Sequence, residues 1–216
     1  MREVLRAGRV FVQNFRPRER RADHRAAVGG MWDVIGPLQL EFLREQGLRP
    51  DHRLLDVGCG SLRAGRFFIS YLNPHCYLGL DGDEALVRAG LSAEIDPALM
   101  KEKQPEFAFN DSFQFPFDRK PDFAIAQSVF THLTLRQIEA CLTNLRAFAP
   151  DCRFFVTFNE SSFRWPNCFS PNSQRTYFYT RGQIDRIARQ CGWSMSYIGE
   201  WGHPRGQRMV LLVGHE

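Results

Sequence analysis

Apolar residues recur along the chain in two rhythms. Residues 53–57, 76–80, 105–109, 121–126 and 153–158 are short, nearly continuous apolar runs, as expected of strands buried on both faces of a parallel sheet. Stretches with helical spacing separate them. Residues 62–72 carry Phe67, Phe68 and Ile69 and stop at Asn73-Pro74; a second helix starts near Glu84, capped by Asp83, and fades at Ile95-Asp96-Pro97. Leu135–Phe148 places Leu135, Ile138, Leu142 and Leu145 on one face. The C-terminal part predicts a helix over residues 181–191, ended by Gly192, then strands at Trp193–Gly199 and 208–213 joined by residues 200–207. Strands alternating with helices predict an α/β fold.

The chain before this pattern reads differently. Residues 26–36 are apolar at Val28, Met31, Trp32, Val34 and Ile35 and are broken by Gly29-Gly30, so something should cover them. A helix over residues 37–46 follows, with Gly47 as its natural end. The expected division is an N-terminal helical lid or arm over residues 1–48 and one α/β domain over residues 49–216, a length that allows a full core.

The stretch 54–60, Leu-Leu-Asp-Val-Gly-Cys-Gly, is a strand that ends in an acid and turns on two glycines before a helix. Glycines there permit positive φ and let a ligand approach the backbone, and the open amides of the next helix favour an anionic or electron-rich group. A dinucleotide fingerprint would need a third glycine where Arg63 stands, and a phosphate-binding P-loop would need a Gly-Lys-Ser/Thr run that is absent. Asp56 would repel a pyrophosphate but suits an ammonium. The residues fit a ligand with an amino-acid end and a nucleoside end.

Together with Tyr77-Leu78-Gly79-Leu80-Asp81, this stretch resembles the first two motifs of class I S-adenosylmethionine-dependent methyltransferases of the small-molecule type, and the likeness runs from about residue 50 onward. It implies a Rossmann-like fold with a seven-stranded, mostly parallel sheet, the last strand reversed, and helices on both faces. It implies S-adenosylmethionine as cofactor: Asp56, Gly58, Cys59 and Gly60 around its methionine part, Asp81 with Gly82 at the ribose, and Asp111 with Ser112 near the adenine. Gln127, leaving the fourth strand, belongs to the same set. The run 128–133, Ser-Val-Phe-Thr-His-Leu, resembles the corresponding segment of many small-molecule enzymes of the class.

The expected reaction is methylation of an oxygen of a small molecule, such as a sugar or natural-product hydroxyl. A base should take the hydroxyl proton, and His132 is the first candidate, with His203 the second. Met31 and Trp32 are candidates for lining the site mouth, packing against the first sheet helix being their other open role. Phe130, Arg164, Trp165 and Arg205 are further substrate-side candidates, Arg205 for an acidic group. Other readings stay open: an RNA or protein methyltransferase, a non-catalytic partner subunit, or a dinucleotide-dependent oxidoreductase.

Charge and cysteines narrow the picture little. The net charge is +4, and the arginine run Arg16, Arg18, Arg20, Arg21 and Arg25 is interspersed with acids and lacks aromatics, which favours a solvated helix face over nucleic acid. The six cysteines, at 59, 76, 141, 152, 168 and 191, form no Cys-x-x-Cys pair and read as free thiols. No carboxylates gather at Gln127 and Ser128, so no metal is expected. Without a membrane span or a signal-peptide pattern, a cytoplasmic location is the expectation.

Overall fold

The computed structural model describes residues 24–163 and 176–215. The strands are β1 (Leu54–Val57), β2 (Tyr77–Asp81), β3 (Glu106–Phe109), β4 (Phe123–Ala126), β5 (Arg153–Glu160), β6 (Phe178–Tyr179), β7 (Trp193–Gly199) and β8 (Arg208–Gly214). The helices are α1 (Trp32–Glu45), α2 (Gly65–Tyr71), α3 (Glu84–Glu94), α4 (Pro97–Lys103), α5 (Leu135–Phe148) and α6 (Arg181–Gln190), with a 3₁₀ turn at Phe130–His132.

The sheet order is β3-β2-β1-β4-β5-β8-β7. Its pairs are parallel except those of β8, which runs against both β5 and β7. This is the expected mostly parallel α/β sheet with its last strand reversed. The added feature is β6, which pairs with the outer end of β5 through Asn159↔Phe178 and Glu160↔Tyr179. Among the described residues, no helix is long and apolar enough to cross a membrane.

Successive side chains of a strand point to opposite faces, so β1 feeds two cores. Leu55 and Val57 join Leu78, Leu80, Ile138, Leu142 and Ile184, beneath α5 and α6. Leu54 and Tyr77 pack with Phe42 and Leu43 of α1, Phe68 and Ile69 of α2, and Val87 of α3. Asp56 follows Leu54 by two positions and therefore faces the second core. This parity puts a carboxylate under α2 at the end of the central strand.

Element ends differ from expectation for local reasons. Helix α1 starts at Trp32 rather than at Pro37, because left-handed Met31 turns the chain and the extra turn buries Trp32 and Ile35. Helix α2 starts at Gly65 rather than near Leu62, since Leu62 itself takes φ 66° and prolongs the loop. Helix α4 is unforeseen. Its start signals are present all the same: Asp96 accepts from the Ala98 N–H, and Pro97 occupies the first turn. Capping boxes of Thr134 with Gln137 and Thr180 with Gln183 fix the starts of α5 and α6.

Helix α3 presses on the loop after β1 at Gly90, where an added Cβ would lie 2.2 Å from the Ser61 carbonyl oxygen. Alanine would favour a helix by roughly 1 kcal/mol, but overpacking against a backbone costs about 1–3 kcal/mol or more, so the clash wins. Gly90→Ala should therefore lower the urea unfolding midpoint. A midpoint equal to or above that of the wild type would contradict this packing.

Candidate active site

The chain passes from β1 outward to β2 and β3, then returns to the other side of β1 as β4. Ligands of open α/β sheets bind beyond the carboxyl ends of strands at such a reversal. A cavity of about 620 Å³ opens there, within the ~300–1,000 Å³ usual for small-molecule sites. Asp56, Gly58, Cys59 and Gly60 line it from β1, Asp81 from β2, Gln127 to Val129 from β4 and Asn159 from β5. Residues 26–29 close one wall.

The glycine loop is shaped by its neighbours. Gly58 and Gly60 have φ of 72° and 54°. A Cβ on Gly58 would lie 2.5 Å from Val129 Cγ2, and one on Gly60 would lie 2.8 Å from Val28 Cγ1. Side chains at these two positions would collide with the two valines, which close on the loop. Cys59, between them, is a buried thiol whose pKa is pushed well up by burial and by Asp56 and Asp81, so it is a poor nucleophile.

Asp56 is 5% exposed and accepts a hydrogen bond from the Tyr77 hydroxyl at 2.8 Å. Gly79, the register partner of Asp56, lets the Tyr77 ring lie across it, and Gly65 leaves room for the hydroxyl, 2.7 Å from where its Cβ would stand. No cation pairs with this carboxylate among the described residues. Burial pushes its pKa up to about 7; the Tyr77 bond opposes the rise and Asp81 adds to it. Asp81 accepts from the backbone N–H of Gly60 at 2.7 Å and of Asp83 at 2.8 Å, and burial raises its pKa despite those bonds.

A polar network lies beneath the β4 side. Arg63 donates to Gln127 Oε1 at 2.7 Å, which turns the amide nitrogen of Gln127 toward Ser128 Oγ at 2.7 Å and His203 Nε2 at 3.1 Å. Thr157 Oγ1 accepts from the Ser128 N–H at 2.7 Å and donates to Gln207 Oε1 at 2.9 Å. The second ring nitrogen of His203 faces the Arg205 N–H at 3.3 Å. No acceptor for a ring N–H is placed at Nδ1, which faces a donor, and this disfavours a protonated ring. Burial lowers the pKa of His203 to about 4, and Arg63 and Arg205 add to the effect.

The expected site residues thus separate. The cavity gathers Asp56, Gly58, Cys59, Gly60, Asp81, Gln127, His132 and Arg205. Gly82, Asp111 and Ser112 are exposed beside it, with Asp111 Cβ 3.4 Å from where a Gly82 Cβ would stand. Phe130 is buried in the core under α5, and His203 is stacked on Trp201 at 5.3 Å in the network just described. Trp32 is held between Arg25 and Arg66, 4.9 and 5.3 Å from its ring centre, while Met31 caps α1; neither lines the cavity. Arg164 and Trp165 lie outside the described residues.

Sequence reading missed Arg63 as a cavity wall, and it did not single out Gln39 and residues 26–29 within the expected lid or arm. Arg63 had a signal, because it stands where a dinucleotide loop carries glycine. Residues 26–29 had none beyond their apolar character.

Asp56 gives a pH dependence. Its pKa in the folded protein, about 7, lies above the roughly 3.9 of an unfolded aspartate, so the folded state holds the proton more tightly. The resulting stability is full below about pH 4 and is lost as pH rises through about 7. Replacing the group with a neutral amide removes that loss. Relative to wild type, Asp56→Asn should gain stability in urea melts between pH 5 and pH 8, by an amount on the order of a few kcal/mol; a pH-independent difference would contradict the assignment.

No protein-family model matches the chain. Solved structures do. Magnesium protoporphyrin IX methyltransferase from Synechocystis PCC 6803 with bound SAM is similar at 18% identity and TM-score 0.62, over 97% of this chain and 86% of that one. A TehB-like SAM-dependent methyltransferase from Corynebacterium glutamicum is similar at 17% identity and TM-score 0.62, over 92% and 96%. Human N-acetylserotonin methyltransferase in complex with SAM gives 15% identity and TM-score 0.65 over 93% of this chain and 57% of that one. The chain has the Rossmann-like fold of these methyltransferases.

Proposed function

We propose that the chain is an enzyme that transfers a methyl group from S-adenosylmethionine to a small-molecule acceptor, at an oxygen such as a sugar or natural-product hydroxyl. The observation that carries the reading is Asp56: a buried carboxylate that lines the cavity beside two cramped glycines and pairs with no cation among the described residues. An ammonium group supplies the missing charge and favours the ionised carboxylate. The fold shared with SAM-bound enzymes supports the same ligand.

The residues fit that donor. Gly58 and Gly60 line the cavity with bare backbone that a ligand can approach, Asp56 meets the amino group, and Asp81 accepts from the ribose hydroxyls. When bound, S-adenosylmethionine supplies an electrophilic methyl on a sulfonium sulfur. The chain then has to position an acceptor oxygen in line with that methyl and remove its proton, and positioning supplies most of the gain.

His132 suits the proton step because it lines the cavity from the 3₁₀ turn after β4 and is exposed to the site. His203 does not, being buried outside the cavity lining, with Nδ1 taken by the Arg205 N–H and Nε2 against the Gln127 amide. Asn159, Thr176 and Ser128 give the same region amide and hydroxyl groups suited to a hydroxylated acceptor.

The reading is tested by thermal unfolding with S-adenosylmethionine, S-adenosylhomocysteine or reduced nicotinamide dinucleotide. A ligand at about a hundred times its Kd adds roughly 2.7 kcal/mol of apparent stability. The sulfur nucleosides should stabilise the protein; stabilisation by the dinucleotide alone would overturn the reading. In calorimetric titrations, Asp81→Ala should weaken S-adenosylhomocysteine by roughly 1.5–3 kcal/mol, the range for hydrogen bonds to a charged acceptor. His132→Ala should slow methyl transfer to a hydroxyl acceptor by about 10²–10⁴ with donor affinity kept. Undiminished turnover would remove His132 from the proton step.

A further inference from the structure

Ser128, the second residue past β4, has φ 61°, in the left-handed region that residues with a side chain seldom adopt. Its polar groups are all engaged. The N–H donates to Thr157 Oγ1 at 2.7 Å, Oγ accepts from the amide nitrogens of Gln127 at 2.7 Å and Gln207 at 2.8 Å, and the carbonyl accepts from Thr131 Oγ1 at 2.7 Å. Uncommon backbone conformations persist only where the surroundings over-determine them.

The turn that follows carries His132, whose N–H donates to the Val129 carbonyl at 2.9 Å. The far side of this turn is tied to the stretch that forms β6: the Tyr177 N–H donates to the Thr131 carbonyl at 2.7 Å, and the Tyr179 hydroxyl to the Leu133 carbonyl at 2.6 Å. The near side hangs on Thr157. The last register pair between β4 and β5 is Ala126↔Val156, so Thr157 is the first residue of β5 beyond that ladder. Its hydroxyl takes the Ser128 N–H and donates in turn to Gln207 Oε1 at 2.9 Å. Thr157 is wholly buried and is not part of the cavity lining, so any effect it has on the site passes through Ser128 and Gln207.

We propose that Thr157 is a positioning residue: its hydroxyl, steadied by Gln207, locks Ser128 in the left-handed conformation and thereby sets His132 at the cavity. A hydroxyl is required because the one oxygen both accepts and donates. Valine has the same shape, but it leaves the Ser128 N–H without this acceptor and Gln207 Oε1 without this donor. The positioning itself rests on these contacts. Its consequence for methyl transfer rests on the proposed role of His132 in the proton step, where a small misplacement of the base costs much of the rate.

The test compares Thr157→Val, which keeps the shape and removes the hydroxyl, with Thr157→Ser, which keeps the hydroxyl and removes the methyl. The readout is the amide and ring NMR signals of His132 in the full-length protein without ligand, assigned by their loss in His132→Ala. His52 and His75, before β1 and β2, report that the fold is kept. If the hydroxyl sets the turn, the valine variant should shift or multiply the His132 signals and the serine variant should show them at their wild-type positions. Should the valine variant not fold, Thr157→Ala against Thr157→Ser isolates the same oxygen. His132 signals unchanged on loss of the hydroxyl, or displaced as far in the serine variant, would overturn the proposal.

Methyl transfer to phenol and to methyl glucoside, probes for two kinds of hydroxyl, separates this proposal from the base assignment. With a probe that is methylated, Thr157→Val should slow turnover about tenfold or more by itself and less than about twofold in the His132→Ala background. Equal slowing in both backgrounds would mean that Thr157 only supports the sheet and would overturn the proposal. Full turnover in His132→Ala, with His132 signals that still depend on the Thr157 hydroxyl, would remove the base role alone and leave the positioning supported. If neither probe reacts, the NMR comparison decides.

Discussion

A carboxylate buried at the end of a central strand has to be held, and much of the surrounding structure follows from how Asp56 is held. Tyr77 reaches it from the neighbouring strand across Gly79, and Gly65 at the start of α2 is the residue that leaves space for the hydroxyl. One neutral hydrogen bond does not balance a buried charge, so burial raises the pKa to about 7, and a cation beside the group would favour its ionised form. Its environment is therefore incomplete by design of charge, while its geometry is fixed by packing. The second core, with Phe68 and Ile69 of α2 behind Tyr77, supplies that rigidity.

The N-terminal residues meet the same site from above. Ser61 Oγ donates to the His24 carbonyl at 2.9 Å, and Arg25 clasps Glu94 of α3 with bonds of 2.9 and 2.8 Å. Arg66 approaches the same carboxylate at 3.6 Å, and Glu94 is almost wholly buried. These contacts bring Val28 onto Gly60 and place three carbonyls where Arg63 and Arg205 bind them. One wall of the cavity is thus backbone, oriented by side chains that themselves carry unmatched charge.

Where local chemistry decides, the chain was legible. The β1 loop, Asp81 and the cap of α3 by Asp83 all lie where short-range signals placed them, and α5 buries Ile138, Leu142 and Leu145 of its apolar spacing while Leu135, in its first turn, is exposed. Helix α4 carried its signals too, in Asp96-Pro97, but they read as the end of one helix and not the start of another. What stayed hidden depends on contacts far apart in sequence. Gln207 meets Ser128 and Thr157 only once β8 is inserted beside β5, and that partnership makes His203 part of a scaffold. Of the two roles open to Trp32, lining the site mouth or packing on the first sheet helix, it takes the second: its buried ring lies against Arg66 of α2, with Arg25 on it as well.

The measurement closest to the central claim is a crystal structure of the protein grown with S-adenosylhomocysteine. The amino group should stand against Asp56 and the ribose hydroxyls against Asp81, with the thioether directed toward the His132 side of the cavity. Density for the nucleoside elsewhere on the molecule, or its amino-acid end turned away from Asp56, would contradict the claim that this buried carboxylate organises the site.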